Sequence, residues 1–86
     1  MAKIEIYTKA FCGYCARAKA LLDRKGADFQ EIDVTMDRAG FDAMVARAHG
    51  GRTVPQIFID GKHVGGSDDL AALEAKGQLD GLLGPS

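Results

Sequence analysis

Residues 3–26 read KIEIYTKAFCGYCARAKALLDRKG. In its first six positions Ile4 and Ile6 fall on one face of an extended segment and Glu5 and Tyr7 on the other, the period-two pattern of a strand. After a short loop through Lys9, Ala10 and Phe11, the run from Cys15 to Lys25 is rich in Ala, Leu, Arg and Lys. Cys15, Ala18, Leu21 and Leu22 there recur at helical spacing, and Gly26 supplies the left-handed stop. A strand running straight into an amphipathic helix is the opening of an α/β unit. The remaining chain extends it. Phe29, Ile32 and Val34 form a short apolar segment whose parity changes midway, which predicts a second strand covered on both faces. Phe41, Met44, Val45 and Ala48 recur at i, i+3, i+4 and i+7, predicting a helix over 37–48 with a core stripe, ended by Gly50-Gly51.

Gln56 to Ile59 and Lys62 to Val64 flank Asp60-Gly61, a two-residue loop that tolerates positive φ at both positions and so predicts a tight hairpin. Gly65-Gly66 breaks the chain, Ser67 or Asp68 can cap a third helix bearing Leu70, Ala71 and Leu73, and Gly77 stops it. Leu79, Leu82 and Leu83 are expected to pack the tail onto the core. Two strands joined through a helix are parallel with a right-handed crossover, and a hairpin added after a second helix gives a mixed four-stranded sheet flanked by three helices. The expectation is a three-layer α/β domain.

With 86 residues the chain is expected to be one domain, 1–86, too small for a large internal cavity. Hydrophobic residues at 47 % and charged residues at 27 % place it among globular sequences and away from disorder. A formal net charge of -1 gives no electrostatic footprint for nucleic acid or for an anionic membrane, so neither is expected as a partner. The first thirty residues nevertheless carry Lys3, Lys9, Arg17, Lys19, Arg24 and Lys25 against Glu5, Asp23 and Asp28, which suits a small anionic ligand. No run approaches the ~18 apolar residues of a membrane span, and the N-terminus lacks the apolar core of a secretory signal. The expected compartment is the reducing cytoplasm.

The only two cysteines, Cys12 and Cys15, share one Cys-Gly-Tyr-Cys tetrapeptide. A structural zinc site needs four ligands, and the chain adds only His49 and His63, fourteen residues apart. Haem attachment needs His after the second cysteine, where Ala16 stands. Two buried core cysteines remain the plain alternative, but the pair falls where a strand gives way to a helix. There the unpaired N–H groups and the macrodipole favour a thiolate at Cys12, with Lys9 nearby. Cys15, one turn further in, is close enough to form a disulfide and less exposed, which makes Cys12 the attacking thiol and Cys15 the resolving one.

On Ile4 to Lys9, Cys12-Gly13-Tyr14-Cys15, Arg52 to Ile59 and Gly65 to Leu70, nearly the whole chain resembles the glutaredoxins, among them the short bacterial dithiol type. The resemblance implies a thioredoxin-like fold, reduction of protein disulfides and glutathione mixed disulfides, and glutathione as reductant. It implies Cys12 as nucleophile, Cys15 as resolving thiol and Tyr14 beside the glutathione groove. Thr53-Val54-Pro55 matches the loop opposite the cysteines, where the bond before Pro55 is cis and the Val54 backbone pairs with the cysteinyl part of glutathione. An ordinary strand-initiating proline is the alternative. Gly65-Gly66-Ser67-Asp68 matches the segment that holds the γ-glutamyl end, with helix N–H groups for the α-carboxylate and Asp68 for the α-ammonium, and a plain helix cap is compatible with that role. Lys9 and Arg52 are candidates for the glycyl carboxylate, Arg52 being equally readable as a solvated charge.

His49 and His63 are read as surface or loop residues. Gly13 stands where the family commonly has Pro, and Ser67 where the bacterial type often has a third Cys. Two other readings stay open. One is a bridged dimer carrying a [2Fe-2S] cluster through Cys12 and glutathione; the other is a thioredoxin proper, against which stand the absence of Trp and the 65–68 segment. In the redox reading the protein is a monomer without a metal.

Overall fold

The computed structural model describes residues 2–84; Met1, Pro85 and Ser86, which complete the expected 1–86 domain, lie outside the described residues. The elements are β1 (Ile4–Thr8), α1 (Gly13–Arg24), β2 (Gln30–Asp33), α2 (Arg38–Arg47), β3 (Gln56–Ile59), β4 (Lys62–Gly65), α3 (Ser67–Ala75) and α4 (Leu79–Leu83). The strands form one mixed sheet in the order β2-β1-β3-β4. β1 runs parallel to β2 and antiparallel to β3, and β3 runs antiparallel to β4. Asp60 (φ 52) and Gly61 (φ 79) both take the left-handed conformation that the hairpin requires.

Because β1 and β3 are the inner strands, alternation along them feeds two cores. Ile4, Ile6, Ile57 and Ile59 join Leu21 and Leu22 of α1, Leu70 of α3 and the tail. Tyr7 and Phe58 point the other way, onto Met44 and Ala48 at α2. Helices therefore cover both faces, the three-layer arrangement expected.

Four details correct the sequence reading. The second strand is not covered on both faces. β2 is an edge with Gln30, Glu31 and Asp33 exposed, and its flanking apolar residues diverge, Phe29 into the first core and Val34 into the second. The parity change marks that divergence. Secondly, the tail forms a fourth, short helix. Its i, i+4 pair Leu79 and Leu83 is buried, while Leu82, off that stripe, is 41 % exposed. Thirdly, α3 is capped neither by Ser67 nor by Asp68. The N–H of Gly66 donates to the Asp69 carboxylate at 2.9 Å, the acidic residue reaching back from the third position of the helix. A Cβ on Gly65 (φ 119) would collide with that carboxylate. Lastly, α2 ends at Arg47, and the left-handed turn after it begins not at the glycines but at His49 (φ 56), one position before Gly50. Asp37 starts that helix by accepting from the Gly40 N–H at 2.8 Å.

α2 is fixed to β1 by charge as well as by packing. Arg47 donates to both Glu5 carboxylate oxygens, at 2.9 and 3.2 Å, and to the Tyr7 hydroxyl at 2.9 Å, with its guanidinium 4.1 Å from the Phe58 ring centroid. The Glu5 side chain is 13 % exposed, so removing the cation leaves a poorly solvated carboxylate. Arg47, chiefly through these hydrogen bonds, holds the Glu5 carboxyl below the ordinary carboxylate range. A depressed folded-state value contributes stability that is full above the unfolded value and is lost as pH falls through the folded one. We expect Glu5→Gln to cost about 2 kcal/mol at pH 7. In urea titrations that difference from the wild type should shrink steadily toward pH 3; a constant difference would contradict it.

Candidate active site

Chain direction and register bring three loops to one end of the sheet. β1 ends at Thr8 and runs into Cys12. β3 begins at Gln56 opposite Tyr7, which places residues 53–55 beside that exit. β4 ends at Gly65, paired with Ile57, and delivers the start of α3 to the same end.

Cys12 is the N-cap of α1, with an extended backbone (φ -105, ψ 108), so the helix begins at Gly13, two residues earlier than the periodicity predicts. Its Sγ accepts the Cys15 N–H at 3.1 Å, occupying the place a Ser or Asp oxygen usually takes. The same sulfur lies 3.9 Å from the Val54 carbonyl, to which it can donate a weak S–H hydrogen bond. Cys12 is half-buried and Cys15 fully buried, and both are free thiols. Burial pushes the Cys15 thiol up to about 11, reinforced by its hydrogen bond with Cys12 and opposed by a backbone hydrogen bond involving Lys9 and by the charge of Lys19. Before Cys12, Phe11 is wholly exposed at φ 58.

Beside the dithiol lies a groove of about 520 Å³. Tyr14, 57 % exposed, forms one wall; Thr53, Val54 and Pro55 form the floor, with a cis Val54–Pro55 bond; Gly66, Ser67 and Asp68 close the far end. Seven sequence-predicted residues thus share one concavity. Cys12 and Cys15 line the adjoining hollow together with Lys9. Arg52 lines neither, but its guanidinium stands 5.5 Å from the Phe41 ring centroid while the Lys9 ammonium stands 4.5 Å from the same point. Phe41 is consequently more than a core residue. It is half-buried, and its outer part gathers the two cations proposed for one carboxylate.

Sequence reasoning missed what holds the floor. Gln56 is buried, and its amide NH2 donates to the Thr53 carbonyl at 3.0 Å and to the Thr53 hydroxyl at 3.3 Å. Its Oε1 faces His63 Nε2 at 2.6 Å, and His63 stacks on Phe58 with centroids 5.1 Å apart. His63 is therefore a half-buried groove residue and not a loop residue, whereas His49 is exposed as expected. Burial, then the neighbouring His49, holds His63 below the ordinary histidine range against an opposing pull from Asp69. A glutamine inside the apolar run 56–59 was the available signal, because a buried amide must find partners.

Chemically, an accessible sulfur at a helix start, a protonated sulfur behind it and a polar-ended groove alongside make a site for thiol–disulfide exchange with an extended small thiol.

A family model described as Glutaredoxin matches residues 4–64. The chain is 57 % identical over 83 residues to Glutaredoxin 3 of Escherichia coli K12, covering 96 % of this chain and 99 % of that protein. Its fold is similar to the solution structure of glutaredoxin from Brucella melitensis, with a TM-score of 0.85 and 55 % identity over 96 % of this chain and 89 % of that one. It is also similar to a buckwheat glutaredoxin–glutathione complex, with a TM-score of 0.85 and 37 % identity over 95 % and 76 % of the two chains.

The unequal burial of the two sulfurs predicts unequal alkylation. At pH 7, iodoacetamide should modify Cys12 of the reduced protein first. In Cys12→Ser the remaining Cys15 should react at least ~100-fold more slowly, since a thiol titrating so high holds little thiolate. Intact-mass kinetics measure both rates, and comparable rates would contradict the geometry.

Proposed function

The chain belongs to the glutaredoxin family, and on that footing we propose that it is a glutathione-dependent thiol–disulfide oxidoreductase acting on protein disulfides and glutathione mixed disulfides. The observation that carries this reading is the division of labour in the dithiol, in which the more accessible Cys12 caps the helix and Cys15 sits behind it, buried and proton-retaining. The Cys12 thiolate attacks the glutathione sulfur of a mixed disulfide; the S–S bond breaks and the substrate leaves as a thiolate that takes up a proton. A second glutathione thiolate then attacks the Cys12–glutathione bond, which releases oxidised glutathione and restores Cys12. With a protein disulfide, Cys12 forms the mixed disulfide and Cys15, giving up its proton, attacks Cys12 to release the reduced substrate.

Glutathione would lie along the groove. Its cysteinyl backbone meets Val54 on the Thr53–Pro55 floor, and Tyr14 covers one side. The α3 start at Ser67 offers N–H groups to the α-carboxylate, Gly66, whose own N–H is held by Asp69, allows close backbone approach, and Asp68 faces the α-ammonium. Lys9 and Arg52, drawn together over Phe41, would receive the glycyl carboxylate. The same reading has the chain act as a single domain and a monomer in the cytoplasm. Among the described residues no helix is long and apolar enough to cross a membrane.

A [2Fe-2S] cluster fits one chain poorly. Such a cluster takes four sulfur ligands, whereas Cys15 is buried and Cys12 is the one accessible thiol. Among the described residues no group of three or more His, Cys, Asp or Glu is placed to hold a metal ion. A second chain and two glutathiones would have to complete the set, and no observation favours that over redox chemistry.

In a coupled assay with glutathione and its reductase, Cys12→Ser should abolish all turnover. Cys15→Ser should keep turnover of a small glutathione mixed disulfide and lose reduction of a dithiol protein substrate; equal losses in both variants would overturn the roles. Asp68→Ala should raise KM for glutathione about fivefold, on the order of 1 kcal/mol for a solvent-facing pair, with kcat retained because the ammonium keeps its charge throughout exchange. A defect confined to kcat would contradict that contact.

A further inference from the structure

One cluster near the groove is not used by thiol chemistry. His49, in the left-handed turn after α2, and His63, within β4, bring their Nδ1 atoms to 3.4 Å, with ring centroids 5.5 Å apart and planes tilted by 43°. The hydrogen bonds behind His63 decide where its proton lies. The Thr53 carbonyl can only accept, so the Gln56 group 3.0 Å from it is the NH2, and the Gln56 oxygen is the atom 2.6 Å from His63 Nε2. An amide oxygen can only accept as well, so Nε2 carries a proton. In the neutral ring Nδ1 then holds the lone pair, and it faces His49.

At 3.4 Å a hydrogen bond from the His49 Nδ1–H to the His63 lone pair is long and weak. The separation instead matches two imidazoles on one tetrahedral cation, since bonds of about 2.0–2.1 Å at the tetrahedral angle place the nitrogens about 3.3–3.4 Å apart. His63 also has the outer partner typical of a ligating histidine, its other N–H fixed on an amide oxygen, and its ring plane is held against Phe58 at 30°.

We propose that His49 and His63 form an open two-histidine site for a late first-row divalent cation, of which Zn2+ is representative, bound through both Nδ1 atoms. Imidazole nitrogen selects this class over Mg2+ and Ca2+. Among the described residues no third protein ligand joins the pair, so water or an outside ligand completes the shell. Such a site exchanges its metal and does not hold the fold together. Through Gln56 the cation is linked to Thr53, the first residue of the groove floor, because a metal on Nδ1 strengthens Nε2–H as a donor.

The test titrates Zn2+ into the 15N-labelled full chain carrying Cys12→Ser and Cys15→Ser, which removes the competing thiolates. Long-range imidazole spectra should show one saturating event that moves Nδ1 of both histidines, with no response to Mg2+. Adding His49→Asn, which keeps a residue tolerant of the left-handed turn, should weaken Zn2+ at least tenfold, and so should His63→Asn. If the double-serine chain does not fold, wild-type protein alkylated at Cys12 gives the same readout. Unchanged affinity in His49→Asn, shifts at Nε2 in place of Nδ1, or no saturation below millimolar Zn2+ would each overturn the site.

Discussion

The hydrogen bond from the Cys15 N–H to the Cys12 sulfur is the contact on which the site depends. A helix start leaves N–H groups without partners, and in this chain a sulfur takes one of them. The consequence is an asymmetry set by helical geometry alone. The capping residue must lie outside the helix with an extended backbone, whereas the residue three positions on lies within the first turn and, in α1, faces the core. Two chemically identical side chains thereby become an accessible thiol that accepts a hydrogen bond and an inaccessible one that keeps its proton. Neither outcome needs a base, a metal or a charged partner.

That cap would be of little use without a groove beside it, and the groove follows from register. Pairing Tyr7 with Gln56 sets the end of β1 against the beginning of β3, and pairing Ile57 with Gly65 sets the end of β4 there too. Three backbone segments with different properties converge: a sulfur-capped helix start, a loop with a cis X–Pro bond, and a second helix start whose first N–H is tied to Asp69. The last of these frees Asp68. Because Asp69 takes the capping role, the Asp68 side chain remains exposed at the groove.

Local features were legible in the sequence wherever one residue type leaves few choices. The alternation in Lys3 to Thr8, the Asp60-Gly61 turn and the Cys-x-x-Cys at a strand-to-helix junction each point to one conformation, and together they determine the order of elements. What could not be read were matters of competition between neighbours. Ser67, Asp68 and Asp69 can all cap a helix, and only the close approach of Gly65 to Asp69 selects the last. Phe29 and Val34 are apolar on opposite parities, which describes a central strand as well as an edge strand whose ends dive into different cores. Phe41 fits a core stripe by spacing, and its role in gathering Lys9 and Arg52 requires that 9 and 52, distant in sequence, end at one place. Gln56, His63 and His49 are likewise joined only by the sheet and the turn after α2.

The glycine between the cysteines illustrates how far fold and chemistry separate here. Gly13 is the first residue of α1, its φ is not left-handed, and a Cβ built on it would meet nothing within 4 Å. The fold therefore places no demand on this position that glycine alone can meet. The first helical position is moreover where proline is best tolerated, since its missing N–H would have had no partner within the helix. What glycine retains is that N–H, adjacent to the capping sulfur, together with a looser backbone in the unfolded chain. The choice between Gly and Pro at 13 thus acts on the immediate surroundings of Cys12 while leaving the packing of α1, which rests on Ala18, Leu21 and Leu22, as it is.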